Sequence, residues 1–296
     1  MRGADQGAGY LDPPSPDQSG DARVTLVSPA TSADVIRAAR AGGYALAAFN
    51  AVNLETAQAI VRAAEAVRAP VILQFSQNAA RHGGLAQLAA LGQSLKAEAS
   101  VPVLLHFDHA ESEDAALEAL RLGFDGVMLE GDDPITLRRL ADAAHAAGGY
   151  LEAEYEVVIK GERSGERHDD PAQLSAFIRD SGCDILAIDL GSAHKQESKN
   201  AHLDLGRLHT LTGLTALPLV LHGASSVPET ELAQAARAGV AKINLATDLT
   251  LTFTAAVRES LNAGAKDPRQ YLGAGRDAMQ ARAETYIRAL GAAGWA

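Results

Sequence analysis

The feature that most constrains the fold of this chain is a regular alternation of short apolar segments with longer amphipathic ones. Near-continuous apolar runs are typical of strands in parallel sheets, because both faces of such sheets are covered. Eight units of this kind, nearly every one pairing a strand with a helix, predict a (β/α)8 (TIM) barrel, and a doubly wound open sheet is the alternative. The predicted strands are residues 44–50, 70–76, 101–108, 126–130, 150–155, 184–189, 217–222 and 241–245.

The two ends of the chain depart from this pattern. Residues 1–23 are rich in Gly, Pro, Asp and Ser and lack the apolar centre of a signal peptide, so we expect a short disordered N-terminal extension. Residues 24–296 are expected to form a single domain. Its first helix is predicted over residues 32–41, with Ser32 as the capping residue. Residues 267–290 are expected to form an appended C-terminal helical segment.

Composition limits the class of partner and the compartment. The formal net charge is −11, and no stripe of Lys and Arg is present that could neutralise phosphates, which argues against nucleic acid as a partner. No apolar run approaches the ~20 residues that span a bilayer, so no membrane association is expected. Cys183 is the only cysteine, which excludes an intrachain disulfide and favours a reducing compartment. A cytoplasmic location is therefore predicted.

Polar side chains stand at the C-terminal ends of the predicted strands, while the strand bodies are mostly apolar. In a barrel these ends open into the active site. The densest group follows strand three, where an apolar run leads directly into Asp108 and His109. The rim residues are Asn50, Ser76, Asp108, His109, Glu130, Glu152, Glu154, Asp189, His194, His222 and Asn244.

Three histidines of this rim, His109, His194 and His222, follow strands three, six and seven. Widely separated histidines that converge through the fold are typical of a catalytic zinc site with three protein ligands and one open position. The alternative for each one alone is a hydrogen-bonded structural histidine. His106, two residues before Asp108, is interpreted as a packed core histidine, with support of a metal ligand as the alternative.

The loops after strands seven and eight are rich in glycine and hydroxyl groups. In barrels these loops commonly bind a phosphate through backbone N–H groups and a helix N-terminus. Gly223 and Ser225 follow strand seven, and Asn244 and Thr247 follow strand eight. The alternative is that Thr247 or Asp248 only caps the following helix.

Taken together, five segments resemble the class II, metal-dependent ketose-bisphosphate aldolases. The similarity extends over about residues 24–290, and the segments occur in the order of that family. The most specific segments are residues 48–50 (AFN), 105–109 (LHFDH), 191–194 (GSAH), 221–225 (LHGAS) and 242–247 (KINLAT).

This resemblance implies one Zn²⁺ per subunit, bound by His109, His194 and His222. It implies that Asp108 exchanges a proton with the C4 hydroxyl of a ketose 1,6-bisphosphate, fructose or tagatose, which is cleaved reversibly to dihydroxyacetone phosphate and glyceraldehyde 3-phosphate. Glu162 would shuttle the other proton from a mobile loop. Glu130 and Glu154 match positions of carboxylates that support a ligand or bind an alternative metal position. The residues implied to contact substrate are Asn50, Gly223, Ser225, Asn244 and Thr247, with Arg269 or Arg276 on the distal phosphate.

One departure concerns the substrate. Lys195 stands where the family usually has a glycine that helps to bind the phosphate and a monovalent cation. Lys195 is therefore a candidate to contact the phosphate, to replace the cation or to mark a changed substrate. Two further hypotheses remain: a relative acting on another phosphorylated sugar or keto acid, and a metal-binding paralogue without activity. A homodimer or homotetramer is expected.

Overall fold

A computed structural model describes residues 31–129, 131, 133–155, 170–191 and 201–296. Eight parallel strands form a closed barrel in chain order, and β8 pairs with β1. The barrel prediction is confirmed, and the open sheet is excluded. The strands are β1 (Leu46–Asn50), β2 (Val71–Ser76), β3 (Val103–Ala110), β4 (Gly126–Leu129), β5 (Tyr150–Glu154), β6 (Ile185–Ile188), β7 (Leu219–Leu221) and β8 (Val240–Leu245).

Eleven helices are present in the described residues, and most match the predicted amphipathic segments. The exception is α3, a short helix that the sequence pattern did not predict; Ser76 at the end of β2 caps it by accepting a hydrogen bond from the Ala79 amide. The helices are α1 (Ser32–Gly42), α2 (Leu54–Val67), α3 (Gln77–Gly83), α4 (Leu85–Glu98), α5 (Glu113–Arg121), α6 (Pro134–Ala146), α7 (Pro171–Ser181), α8 (Leu205–Leu214), α9 (Glu229–Arg237), α10 (Thr247–Asn262) and α11 (Pro268–Ala289).

Helix α1 is anchored at the N-terminal end of the barrel. The prediction that Ser32 caps this helix was wrong. Thr31 is the N-cap, and both its amide and its hydroxyl donate hydrogen bonds to the Asp34 carboxylate. The Ser32 hydroxyl donates instead to Asp125, which precedes β4, because the helix faces the strand ends there. Arg37 of the same helix pairs with Asp184, which precedes β6. These contacts anchor α1 across the N-terminal end of the barrel.

The two C-terminal helices, α10 and α11, form a hairpin, and α11 is the helix that packs against the rest of the barrel. Helix α11 packs along α10 and α2 and also contacts α9 and β1. Helix α10 buries only Leu249 near its start. The predicted C-terminal helical segment is therefore part of the outer helical layer, and α10 is the more exposed half of the hairpin.

Alternating residues of the strands face the barrel interior, and several of them are polar. Gln74, His106, Glu152 and Lys242 are fully buried there, on β2, β3, β5 and β8. Close packing explains a glycine in this region: a Cβ on Gly126 would lie 2.2 Å from the neighbouring tyrosine ring on β5. The interior is thus densely filled, with a polar layer directly below the C-terminal end.

None of the helices in the described residues is both long and apolar enough to cross a membrane.

Candidate active site

Strand β3 ends in a backbone distortion that turns two consecutive side chains toward the barrel mouth. Successive residues of a regular strand face opposite sides of the sheet, so Asp108 and His109 could not both face the barrel mouth. His109 has a φ of 55°, a left-handed conformation that is rare for a residue with a side chain. The pairing of β3 with β4 shifts between Phe107 and Ala110. Strain of this kind costs about 1–3 kcal/mol and is concentrated at functional sites.

The ring of His222, directly after β7, lies against that of His109. The two ring centroids are 5.1 Å apart and the rings are inclined by 67°. His222 is buried, and its Nε2 lies 2.7 Å from Oε1 of Glu152, a buried carboxylate on β5. An ionised carboxylate only accepts hydrogen bonds, so Nε2 carries the proton and Nδ1 is the nitrogen able to bind a metal. Burial lowers the pKa of His222, but the bond to Glu152 outweighs burial and raises the pKa above its usual value.

The two described histidines fit a zinc ion. Two imidazoles bound to one tetrahedral zinc, with Zn–N distances of about 2.0–2.1 Å, have ring centroids about 5 Å apart. The observed separation of 5.1 Å agrees with that geometry. A carboxylate behind a histidine, as Glu152 is behind His222, is the usual support of a metal-binding imidazole. Across the described ranges, no three His, Cys, Asp or Glu side chains are grouped closely enough to hold a metal, and the predicted third ligand, His194, lies outside these ranges.

Asp108 is held by two side-chain amides. Asn50 Nδ2 donates to Oδ2 at 3.0 Å, and Asn244 Nδ2 donates to Oδ1 at 3.3 Å. His109 Nε2 lies 3.9 Å from Oδ1. Burial raises the pKa of Asp108, but electrostatic interactions with His109, Lys242 and His222 outweigh burial, so the pKa lies below its usual value. Asp108 is therefore a carboxylate at neutral pH and can accept a proton.

A buried charge cluster lies beneath these residues. Lys242 Nζ lies 2.8 Å from Glu152 Oε2 and donates to Asn244 Oδ1 at 2.6 Å. Burial raises the pKa of Glu152, but Lys242 and the bond from His222 hold it well below its usual value. His106 stacks on the Tyr150 ring, and burial, with the Lys242 charge, lowers the pKa of His106 to about 3. His106 is therefore a neutral core residue that also lies 3.4 Å from Glu152, which agrees with both sequence interpretations.

The predicted phosphate loops are brought together. The amide of Ala246, before α10, donates to the Ser225 hydroxyl, which joins the loops after β7 and β8. Gly223 has a φ of 66°, which suits a glycine at this turn. The alternative that Thr247 or Asp248 caps α10 was wrong: Ala246 occupies the N-cap and has no side chain to cap with. The Asp248 carboxylate instead accepts hydrogen bonds from Arg282 and Tyr286 of α11.

Among the described residues, neither Arg269 nor Arg276 contacts this cluster. Arg269 lies at the start of α11, and its side chain is 90% exposed beside Asp267. A 16-residue α10 is about 24 Å long, so Arg269 lies roughly that far along the hairpin from Thr247. Arg276 pairs with Asp277. Predicted Glu154 is buried at the end of β5, with Oε1 4.0 Å from His222 Nδ1. Four other predicted site residues lie outside the described residues: Glu130, Glu162, His194 and Lys195.

The sequence analysis did not assign a role to Gln74, Glu152 or Lys242. Gln74 Nε2 donates to Asn50 Oδ1 at 2.8 Å and so continues the chain of bonds to Asp108. A signal was present in β5 and β8, because Glu152 and Glu154, like Lys242 and Asn244, are two residues apart and must share a strand face.

The fold and the site define a barrel enzyme, since the imidazoles and the buried carboxylate meet at the C-terminal mouth. Comparison with known sequences agrees. The sequence profile of the family described as fructose-bisphosphate aldolase class-II matches residues 30–295. A Thermus caldophilus protein named fructose-bisphosphate aldolase is 37% identical over 302 residues, which cover 89% of this chain and 98% of the relative. A Geobacillus stearothermophilus protein of the same name is 34% identical, with coverages of 88% and 96%.

Solved structures show the same similarity. The YdjI aldolase from Escherichia coli K12 superposes with a TM-score of 0.78 at 26% identity, covering 90% of this chain and 98% of the other. A putative fructose-1,6-biphosphate aldolase from Coccidioides immitis has a TM-score of 0.80, with the same identity and coverages. The chain belongs to the class II fructose-bisphosphate aldolase family. It is therefore a carbon–carbon lyase of the aldolase type.

Proposed function

We propose that this protein is a zinc-dependent aldolase that reversibly cleaves a ketose 1,6-bisphosphate, fructose or tagatose, to dihydroxyacetone phosphate and glyceraldehyde 3-phosphate. The observation that carries the proposal is the pair of imidazoles with centroids 5.1 Å apart beside the buried Asp108. The names of the relatives support fructose 1,6-bisphosphate as the first substrate to test.

Zinc held by His109 and His222, with His194 as the third expected ligand, would act as a Lewis acid that stabilises the negative charge left beside the carbonyl when the carbon–carbon bond breaks. Asp108 is the residue of this chain that moves the proton. It accepts the C4 hydroxyl proton during cleavage and returns it during condensation. Asn50 and Asn244 bond to both carboxylate oxygens, so the carboxylate plane is oriented before substrate arrives.

Phosphate binding is proposed for the joined loops after β7 and β8. Gly223, Ser225 and Thr247 lie beside the N-terminus of α10, where N–H groups and the helix dipole favour an anion. Asn244 is expected to contact substrate while it orients Asp108. Glu162 is proposed to shuttle the second proton, as in the family it resembles.

Metal removal tests the proposal directly. Dialysis against a strong chelator should abolish cleavage of fructose 1,6-bisphosphate, and one equivalent of Zn²⁺ or Co²⁺ per chain should restore it. Circular dichroism before and after dialysis controls for unfolding. Full activity in protein shown to be metal-free would refute zinc dependence.

The alternative, a shifted substrate, rests on Lys195. Values of kcat/KM should be measured over a panel of sugar bisphosphates and monophosphates for wild type and Lys195→Gly. A preference for another phosphorylated sugar that reverts in the variant would favour the alternative. Equal preferences in the two proteins would count against it.

A further inference from the structure

Inside the barrel the ammonium group of Lys242 lies between the metal-binding and the acid–base sides of the site. The Lys242 side chain is fully buried among β-strand residues. Its Nζ contacts Glu152 Oε2 at 2.8 Å on one side and Asn244 Oδ1 at 2.6 Å on the other. Glu152 continues to His222, and Asn244 continues to Asp108.

We propose that Lys242 is a positioning residue that orients the metal ligand His222 and the base Asp108 at the same time. The inference rests on the proposed zinc-dependent function and adds a residue to it. Lys242 touches neither substrate nor metal in this proposal, and it acts entirely through Glu152 and Asn244.

The first branch concerns His222. Lys242 neutralises the charge of Glu152 and holds its Oε2. The other oxygen, Oε1, then accepts the proton of His222 Nε2 at 2.7 Å. An imidazole whose Nε2 is protonated and fixed can offer only Nδ1 to a metal. Without Lys242 the carboxylate would be a buried charge with one fewer partner, and the ring orientation would no longer be determined by a rigid acceptor.

The second branch concerns Asp108. An ammonium group has donors and no acceptor, so it selects the oxygen of the Asn244 amide. The amide nitrogen is thereby turned toward Asp108 Oδ1, at 3.3 Å. If the amide rotated by half a turn, its oxygen would face the carboxylate and repel it. The orientation of the base therefore depends on the charge of Lys242.

The experiment compares Lys242→Met with wild type in three measurements. These are the dissociation constant for Zn²⁺, the visible spectrum of the Co²⁺-loaded protein, and kcat with KM on fructose 1,6-bisphosphate. We expect metal affinity to fall by about 10–100-fold, as is usual when the support of a ligand is removed. The Co²⁺ spectrum should change, and kcat should fall more than tenfold with KM altered by less than about threefold, since the phosphate loops are untouched.

Lys96→Met is the matched control. Lys96 pairs with Asp125 at the opposite end of the barrel, with Nζ–O distances of 2.6 Å. This variant loses a lysine–carboxylate pair but should retain the wild-type metal affinity, Co²⁺ spectrum and kcat. A change in all three measurements in Lys96→Met as well would show a general packing effect and overturn the positioning role.

If Lys242→Met fails to fold, the double variant Glu152→Met/Lys242→Met takes its place, because it removes both buried charges and leaves neither unpaired. It should fold and show the same loss of metal affinity. Wild-type values of metal affinity, spectrum and kcat in either folded variant would overturn the inference while the aldolase proposal stands. Wild-type protein that neither binds metal nor cleaves the substrate would overturn both.

Discussion

The two ends of the barrel both carry carboxylates that are buried or partly buried, but the carboxylates at the two ends have different partners. At the N-terminal end, Asp125 accepts hydrogen bonds from the Leu105 amide, from Lys96 and from Ser32. At the C-terminal end, Asp108 accepts hydrogen bonds from the side-chain amides of Asn50 and Asn244.

The difference shows how one fold separates stability from chemistry. A carboxylate that accepts hydrogen bonds from a backbone amide and an ammonium group ties a strand to a helix, and protonating it would weaken those bonds. Asp184 repeats the arrangement with the Leu151 amide, Arg37 and His145. Asp108 is oriented by neutral amides and surrounded by imidazoles, so it can gain a proton without releasing a strand.

The largest expected effect is that of Asp108→Asn. The substitution keeps the size of the side chain but removes the base, and general acid–base groups contribute about 10²- to 10⁴-fold to rate. We expect kcat to fall within that range while the melting temperature and Zn²⁺ content remain near wild type. Steady-state cleavage of fructose 1,6-bisphosphate measures kcat, circular dichroism measures the melting temperature, and metal analysis measures the Zn²⁺ content. A loss of less than tenfold would remove Asp108 from its assigned role.

Asp125→Ala should produce the converse result. It leaves the Leu105 amide and Lys96 without their acceptor, and a lost hydrogen bond to a charged group costs about 1.5–3 kcal/mol in the free energy of unfolding. Urea unfolding measures the loss, with Asp184→Ala as a second example. The kcat of the folded fraction should be unchanged. A fall in kcat with stability intact would contradict the separation of the two ends.

Gly126→Ala tests the layer between the two ends. The added Cβ would lie 2.2 Å from the Tyr150 ring, which stacks on His106. We expect a loss of about 1–3 kcal/mol in the free energy of unfolding, the usual cost of overpacking a core. Urea unfolding of Gly126→Ala measures the loss, and Ala153→Gly, a substitution on the neighbouring strand, is the variant for comparison. Unchanged stability of Gly126→Ala would show that the tyrosine can move aside.

The smallest effect concerns Cys183, which precedes β6 at the N-terminal end. Burial raises the pKa of the thiol to about 11 from an ordinary value of 9.0. The folded state therefore retains the proton longer than the unfolded state, and this contribution to stability decreases as pH rises from about 9 to about 11. Urea unfolding at pH 8 and pH 10 should show a steeper loss for wild type than for Cys183→Ala. Identical slopes would indicate that the N-terminal end admits water to the thiol.

Much of the fold was predictable because it depends on local patterns. Helix α7, for example, lies between Asp170 as N-cap and Gly182 as C-cap, with Pro171 in its first turn, and all three are typical residues for helix ends. Helix α3 was missed because it is short and its cap, Ser76, was interpreted only as a rim residue. The Ser32 cap was misassigned because Thr31 and Ser32 are both good capping residues, and they differ in their contacts: Thr31 bonds to Asp34, whereas Ser32 bonds to Asp125.

The sequence by itself determined the barrel, and it predicted Asp108, His109 and His222 as reactive residues at its rim. Only the tertiary structure decided how these side chains face one another. A period-two strand would turn Asp108 and His109 to opposite sides, and the left-handed conformation of His109 is what lets both reach the mouth. The bond from Lys242 to Glu152 also joins β8 to β5, which are far apart in the chain, so no local pattern could predict it.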